Sequence, residues 1–306
     1  MPMLERLKLA ALVVLATLPW WASPAMAGPP AQGLPSALLV YPLIESTGDR
    51  DTRIELVNLS GEPQQLECFF VEGSACLEIG FVLALTPYQP LSWLASGGLF
   101  DLTSGSAAPP FYGEGELKCV VIPARPDVAS HNAIQGRATT FGLDGRTVSY
   151  SAVGFQRLSD GDYTYVLNLN GTTYAQCPRR LHFDVLTETP AAASELVVVP
   201  CSEDLRLQEP TTLTVQVLVV NEFEQTYSAS YSFTCFDRRT LAEIADPLTR
   251  TIAATDTAQL ILRGVGGPLL GLVVDAVPFN GFVGLAGNEP WFEGGSSATV
   301  VFPERP

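Results

Sequence analysis

Histidine is nearly missing from this chain: 306 residues contain only His131 and His182. A Ser-His-Asp hydrolase needs a histidine base. His131 sits in the polar turn Ser130-His131-Asn132, and His182 lies between Leu181 and Phe183 in a predicted strand. Neither follows a nucleophile signature. Gly-x-Ser-x-Gly does not occur, and Ser104-Gly105-Ser106 reads as loop. A zinc site is excluded too, because there is no C-x-x-C and neither histidine stands at ligand spacing from a cysteine. A redox-active cysteine pair lacks its motif as well. Basic charge is the second shortage. Lys and Arg number 17 against 32 Asp and Glu, for a net charge of −15. No basic run exceeds Arg179-Arg180 or Arg238-Arg239. The acidic balance argues against nucleic acid as a partner, since phosphate binding needs clustered Lys and Arg. Beyond the N-terminus no apolar run reaches the roughly 20 residues of a membrane span.

What is present begins at the N-terminus. Residues 1–27 read as a secretory signal: Arg6 and Lys8, an apolar run from Leu9 to Leu18, then Ala25-Met26-Ala27 for the peptidase. Gly28 is the expected mature N-terminus, so the product is expected to be secreted or periplasmic and soluble.

The remainder reads as strands. Ile54, Leu56 and Asn58 alternate with Glu55 and Val57; Leu117, Cys119 and Val121 alternate with Glu116 and Lys118; Val215, Val217 and Val219 alternate with Gln216 and Leu218. Period two marks half-buried strands. Turn signals include Ser60-Gly61-Glu62-Pro63, Asp144-Gly145, Asn170-Gly171 and the run Gly264-Val265-Gly266-Gly267, which reads as a hairpin turn. Only Leu241 to Leu248 offers a helical turn or two before Pro247 interferes. The expected fold class is all-β: two tandem antiparallel β-sandwich domains of immunoglobulin-like type. Residues 28–35 form a flexible N-terminal segment, 36–186 the first domain, 187–194 a linker and 195–306 the second domain. A repeat supports the division. Residues 52–70 read extended, Asn58, turn, extended, Cys68-Phe69; residues 213–236 read extended, Asn221, turn, extended, Cys235-Phe236.

The blocks Asp51 to Asn58, Cys68-Phe69-Phe70, Gly115 to Cys119 and Asn221 to Gln225 resemble those of an uncharacterised group of exported bacterial proteins. The resemblance covers most of the chain after residue 27. It implies two exported β domains and carries no activity or site residue with it.

Six cysteines in an exported chain predict three disulfides, among fifteen connectivities. The repeat selects Cys68–Cys76, Cys119–Cys177 and Cys201–Cys235, so that each copy closes on itself. Cys68–Cys119 is the rival, since both residues face inward by alternation.

Three kinds of site remain. Paired carboxylates could hydrolyse glycosides; Glu114/Glu116, Asp160/Asp162 and Glu222/Glu224 are each two apart, on one face if in strands. Glu45, Asp49 and Asp51 fall in one loop and offer the hard oxygen ligands that calcium takes. Trp93 follows Pro90 in a segment that resembles a loop end, which makes it the first candidate for an exposed binding aromatic, ahead of Trp291. Packing in a core is the competing reading of Trp93. The expected function is a non-enzymatic structural, adhesive or binding role at the cell surface, with a protein or glycan as partner, no catalytic residue and no cofactor other than calcium. A secreted carbohydrate-active or other hydrolase built on the acidic pairs is the alternative.

Overall fold

The structure is a computed structural model that describes residues 30–101, 105–122, 132–159, 165–187, 193–207, 209–244, 254–279 and 282–303. The expected secretory signal lies outside these residues, as do His131, the Asp160/Asp162 pair and most of the expected linker.

The chain is all-β, with several antiparallel sheets and, among the described residues, one short helix. Its N-terminal half runs β1 (Ala31–Gln32), β2 (Leu38–Ser46), β3 (Arg50–Asn58), β4 (Gln64–Glu72), β5 (Glu78–Leu85), β6 (Pro90–Leu94), β7 (Leu99–Asp101), β8 (Ser106–Ala108), β9 (Gly113–Ile122), β10 (Ile134–Gly142), β11 (Thr147–Ser151) and β12 (Val153–Phe155). The C-terminal half runs β13 (Val166–Leu169), β14 (Cys177–Leu186), β15 (Ala193–Pro200), β16 (Glu203–Asp204), β17 (Thr212–Asn221), β18 (Thr226–Thr234), β19 (Asp237–Thr240), the helix α1 (Leu241–Ile244), β20 (Thr257–Val265), β21 (Leu269–Phe279), β22 (Phe282–Asn288), β23 (Trp291–Ser296) and β24 (Ala298–Val301).

The N-terminal strands form one sheet that folds over on itself. β2 and β3 share a single cross-strand pair, Ser46 with Asp51. On one side of that corner lie β2, β9, β4 and β5; on the other lie β6, β3, β10 and β11. The two faces enclose one core, in which Leu39, Tyr41, Phe70, Leu83 and Leu117 meet Ile54, Leu56, Ala138 and Tyr150. Gly136 is required there, because a Cβ on it would stand 1.9 Å from the Tyr41 hydroxyl. Tyr41 instead donates to the Glu55 carbonyl at 3.0 Å.

In the C-terminal half, β18-β17-β20-β14-β23 form a five-stranded sheet and β19-β15-β21-β22 a four-stranded one. Leu181, Phe183, Val215, Val217, Leu260 and Leu262 of the first pack against Leu196, Val198 and Val273 of the second. Helix α1 opens with a capping box: Thr240 N–H donates to the Glu243 carboxylate at 2.7 Å, and Glu243 N–H to Thr240 Oγ1 at 3.4 Å.

The expected boundary at 186/187 is corrected. β13 and β14 were assigned by sequence to the first domain, but β13 pairs with β24 and β14 with β20 and β23. Nor do the halves sit apart. Val197, Leu272 and Val274 enter the N-terminal core. A third core joins Leu38, Val40, Phe69, Val71 and Val120 to Leu167, Val199, Leu270, Val300 and Phe302. The repeat breaks at the same level. β17 turns directly back onto β18, whereas β4 leaves β3 and pairs with β5 and β9. The Gly264 to Gly267 run is no hairpin either; it carries the chain from β20 in one sheet to β21 in the other.

The cysteine pairs differ from those the repeat selects. They are Cys68–Cys119, Cys76–Cys235 and Cys177–Cys201. Cys68 and Cys119 are direct cross-strand partners on β4 and β9, with Cα atoms 4.1 Å apart. Cys76–Cys235 ties the two halves together across 159 residues of sequence. Cys68–Cys76, Cys119–Cys177 and Cys201–Cys235 are thereby corrected: Cys68 and Cys119 both point into the N-terminal core, where each is the other's nearest partner. Non-reducing peptide mapping should recover the three observed pairs, and a Cys201–Cys235 peptide would overturn the topology.

Candidate functional site

Two clusters of charged side chains stand out: one buried between the halves, one on an open sheet face. The buried cluster follows from β9. Its inward residues Leu117, Cys119 and Val121 are core, as the alternation predicts. Its other face is covered as well, so Glu116 and Lys118 are buried completely. Lys118 Nζ donates to Glu116 at 2.6 Å and to Glu203 of β16, from the other half of the chain. Glu78 of β5 stands on the same face, through the register Val71–Glu78 and Val71–Glu116. Burial pushes the Glu116 carboxyl up to about 8 against the pull of Lys118. Burial, then the charge of Glu203, pushes Glu78 to about 8. Lys118 goes the other way: burial opposes its charge, but Glu116 and Glu203 outweigh that and hold it protonated.

Nearer the surface, Arg238 is shared by Glu195 at 2.6 Å, Glu114 at 2.8 Å and Glu45 at 3.3 Å. These residues join β19, β15, β9 and β2. Both clusters therefore act across the two halves: Glu116 and Glu203 meet Lys118, and Glu45, Glu114 and Glu195 meet Arg238. The acidic pair Glu114/Glu116 is divided between them, Glu114 to Arg238 and Glu116 to Lys118. Glu222 accepts from Thr257 Oγ1 at 2.6 Å, and Glu224 sits beside it in an exposed turn.

The calcium loop does not converge. Asp51 is the cross-strand partner of Ser46, so Glu45, one position further along, leaves by the opposite face. Glu45 is buried against Arg50 at 3.4 Å and Arg238. Asp51 accepts from Ser96 N–H at 3.2 Å and Oγ at 2.6 Å. Asp49 is exposed. Among the described residues, no group of three or more His, Cys, Asp or Glu is placed to hold a metal ion.

Trp93 is corrected from a binding residue to a core residue. It pairs with Ile54 across β6 and β3, which aims it into the sandwich, and it is 5% exposed. Phe81 packs edge-on at 6.5 Å. Trp291, ranked second by sequence, is 67% exposed.

Trp291 belongs to the open face. On the five-stranded sheet the register aligns Trp291, His182, Ile261, Leu218 and Ser228 in one row across all five strands. The inward neighbours on these strands are core, so alternation forces this row outward. A parallel row pairs Glu293 with Arg180, and Arg263 with Gln216 and Ser230. Glu293 accepts from Arg180 at 2.9 Å and lies 2.8 Å from His182 Nε2. The His182 bond, then that of Arg180, holds the Glu293 carboxyl below its ordinary range. Glu293 is thus shared by His182 and Arg180. Between the rows runs an open groove of about 760 Å³, floored by Ile261 and Leu218 and flanked by Arg180, Arg263, Gln216, Ser228 and Ser230.

The charge alternation on β9 gave no sign of burial; the signal that could have found it is the apolar company on the same face, Val120, Phe69, Val71, Leu38 and Val40. The open face was legible in Val215, Val217 and Val219, whose outward neighbours it carries. Comparison with family models, curated proteins and solved structures finds no match to this chain.

Proposed function

We propose that this chain is an exported, non-enzymatic protein of two sandwich-like β units that binds or adheres at the cell surface through the outer face of its five-stranded sheet. The observation that carries this reading is Trp291, 67% exposed at the end of a row that crosses every strand of the sheet. A large aromatic ring left in water is the residue type that anchors binding surfaces. Three disulfides fit a destination outside the cytoplasm, and no helix among the described residues is long and apolar enough to cross a membrane. The resemblance to exported bacterial proteins points the same way.

The exported protein, mixed with washed cells of the host that makes it, is expected to cosediment with them. Trp291→Ala should release it and leave Tm within a degree or two, because an exposed side chain contributes little to folding. Equal cosedimentation of Trp291→Ala would place the contact elsewhere. Turnover of an ester, peptide or glycan substrate that vanished in Glu293→Gln would make the chain an enzyme.

A further inference from the structure

We propose that the groove on the outer face of the five-stranded sheet binds an acidic, carboxylate-bearing polysaccharide. This rests on the binding role proposed above and names the chemistry of the ligand.

Charge is the first argument. The chain carries 32 acids against 17 bases, yet the groove is lined by two arginines and no carboxylate. Arg180 is engaged by Glu293. Arg263 is exposed and makes no ion pair or side-chain hydrogen bond among the described residues. It is a cation left for an incoming anion in a protein whose overall field repels anions. A guanidinium meets a carboxylate in a two-pronged geometry that an ammonium does not match.

The remaining surface suits a sugar. Trp291 offers a ring face on which the C–H side of a pyranose can lie. Beyond His182 on the same row, Ile261 and Leu218 add apolar surface. Gln216, Ser228 and Ser230 supply short hydrogen-bonding groups beside it. The row crosses five strands, about 19 Å at the usual strand spacing. An open path of that length fits a chain of sugar units better than a single small molecule. An extended peptide would pair with the exposed backbone of an edge strand, whereas most of this groove is made of side chains from the inner strands β17, β20 and β14.

The test is affinity electrophoresis and titration calorimetry of the purified chain against polygalacturonate and alginate, with dextran as the neutral polymer and poly-glutamate as the acidic peptide. Both uronate polymers should retard the protein and dextran should not, and added salt should weaken the binding because the charges are exposed. Arg263→Glu and Trp291→Ala should each lower affinity about tenfold, a loss of about 1.4 kcal/mol. Arg146→Glu, the same charge change on the Asp144-Gly145 hairpin, should leave it unchanged. Tm should be the same in all three variants. No retardation by either uronate polymer overturns the proposal, as does equal weakening by Arg146→Glu. Binding of poly-glutamate that ignores Trp291→Ala would assign the groove to acidic peptide instead. If cosedimentation with cells depends on Trp291 while neither uronate binds, the binding role stands and the polysaccharide assignment alone fails.

Discussion

Lys118→Ala is expected to destabilise the protein by about 3–5 kcal/mol, because it removes the cation from a site where Glu116 and Glu203 are buried. The loss should grow with pH. In the native protein Glu116 and Glu78 are pushed up to about 8. Between the ordinary carboxylate range and pH 8, the folded chain therefore holds protons that the unfolded chain has released. Raising the pH through that window draws the equilibrium toward the unfolded state. The native protein should accordingly be more stable near pH 5 than near pH 9. In Lys118→Ala no positive charge compensates an ionised Glu116, so the fall over the same window should be steeper. Urea titrations of both proteins at pH 5 and pH 9 measure this. A small loss that is the same at both pH values would show that water reaches the cluster. The triple change Glu116→Leu, Lys118→Met and Glu203→Leu should recover most of the stability, since apolar side chains of similar volume need no compensating charge.

Trp93→Ala should cost a similar amount, about 3–5 kcal/mol, by emptying an aromatic site beside Phe81 and Ile54. Trp93→Phe separates two contributions. The indole Nε1 is buried and has no hydrogen-bond partner, so losing it relieves a desolvation cost while the smaller ring leaves a void. The phenylalanine variant should retain most of the stability. Neither change should alter binding to cells, which distinguishes Trp93 from Trp291. A stable Trp93→Ala that bound less would return Trp93 to the surface.

The two tryptophans show how far the residues alone carry the argument. Pro90 and the glycines after Trp93 are turn signals, and they describe the chain locally. They do not reveal that β6 pairs with β3 in a register that turns Trp93 inward. Asn58 is similar. Its sequence suggested an equivalence with Asn221, and both side chains do organise the turn that follows, accepting from Ser60 N–H at 2.9 Å and from Phe223 N–H at 3.0 Å. That likeness is local; the strands beyond it pair differently.

Strand identity, the inward sets Ile54/Leu56, Leu117/Cys119/Val121 and Val215/Val217/Val219, and the short helix after Thr240 were determined by the residues themselves. Each depends on side-chain period, turn chemistry or capping within one segment. Three things were decided only by tertiary structure: the burial of Glu116 and Lys118, the cysteine partners, and the placement of β13 and β14 with the C-terminal sheets. Alternation reports a difference between the two faces of a strand, and it cannot report that a second layer covers the polar face as well. A cysteine's partner depends on which strands become neighbours, and here the bonded residues are 51, 159 and 24 positions apart. Contacts of that range are set by sheet order, which no single segment encodes.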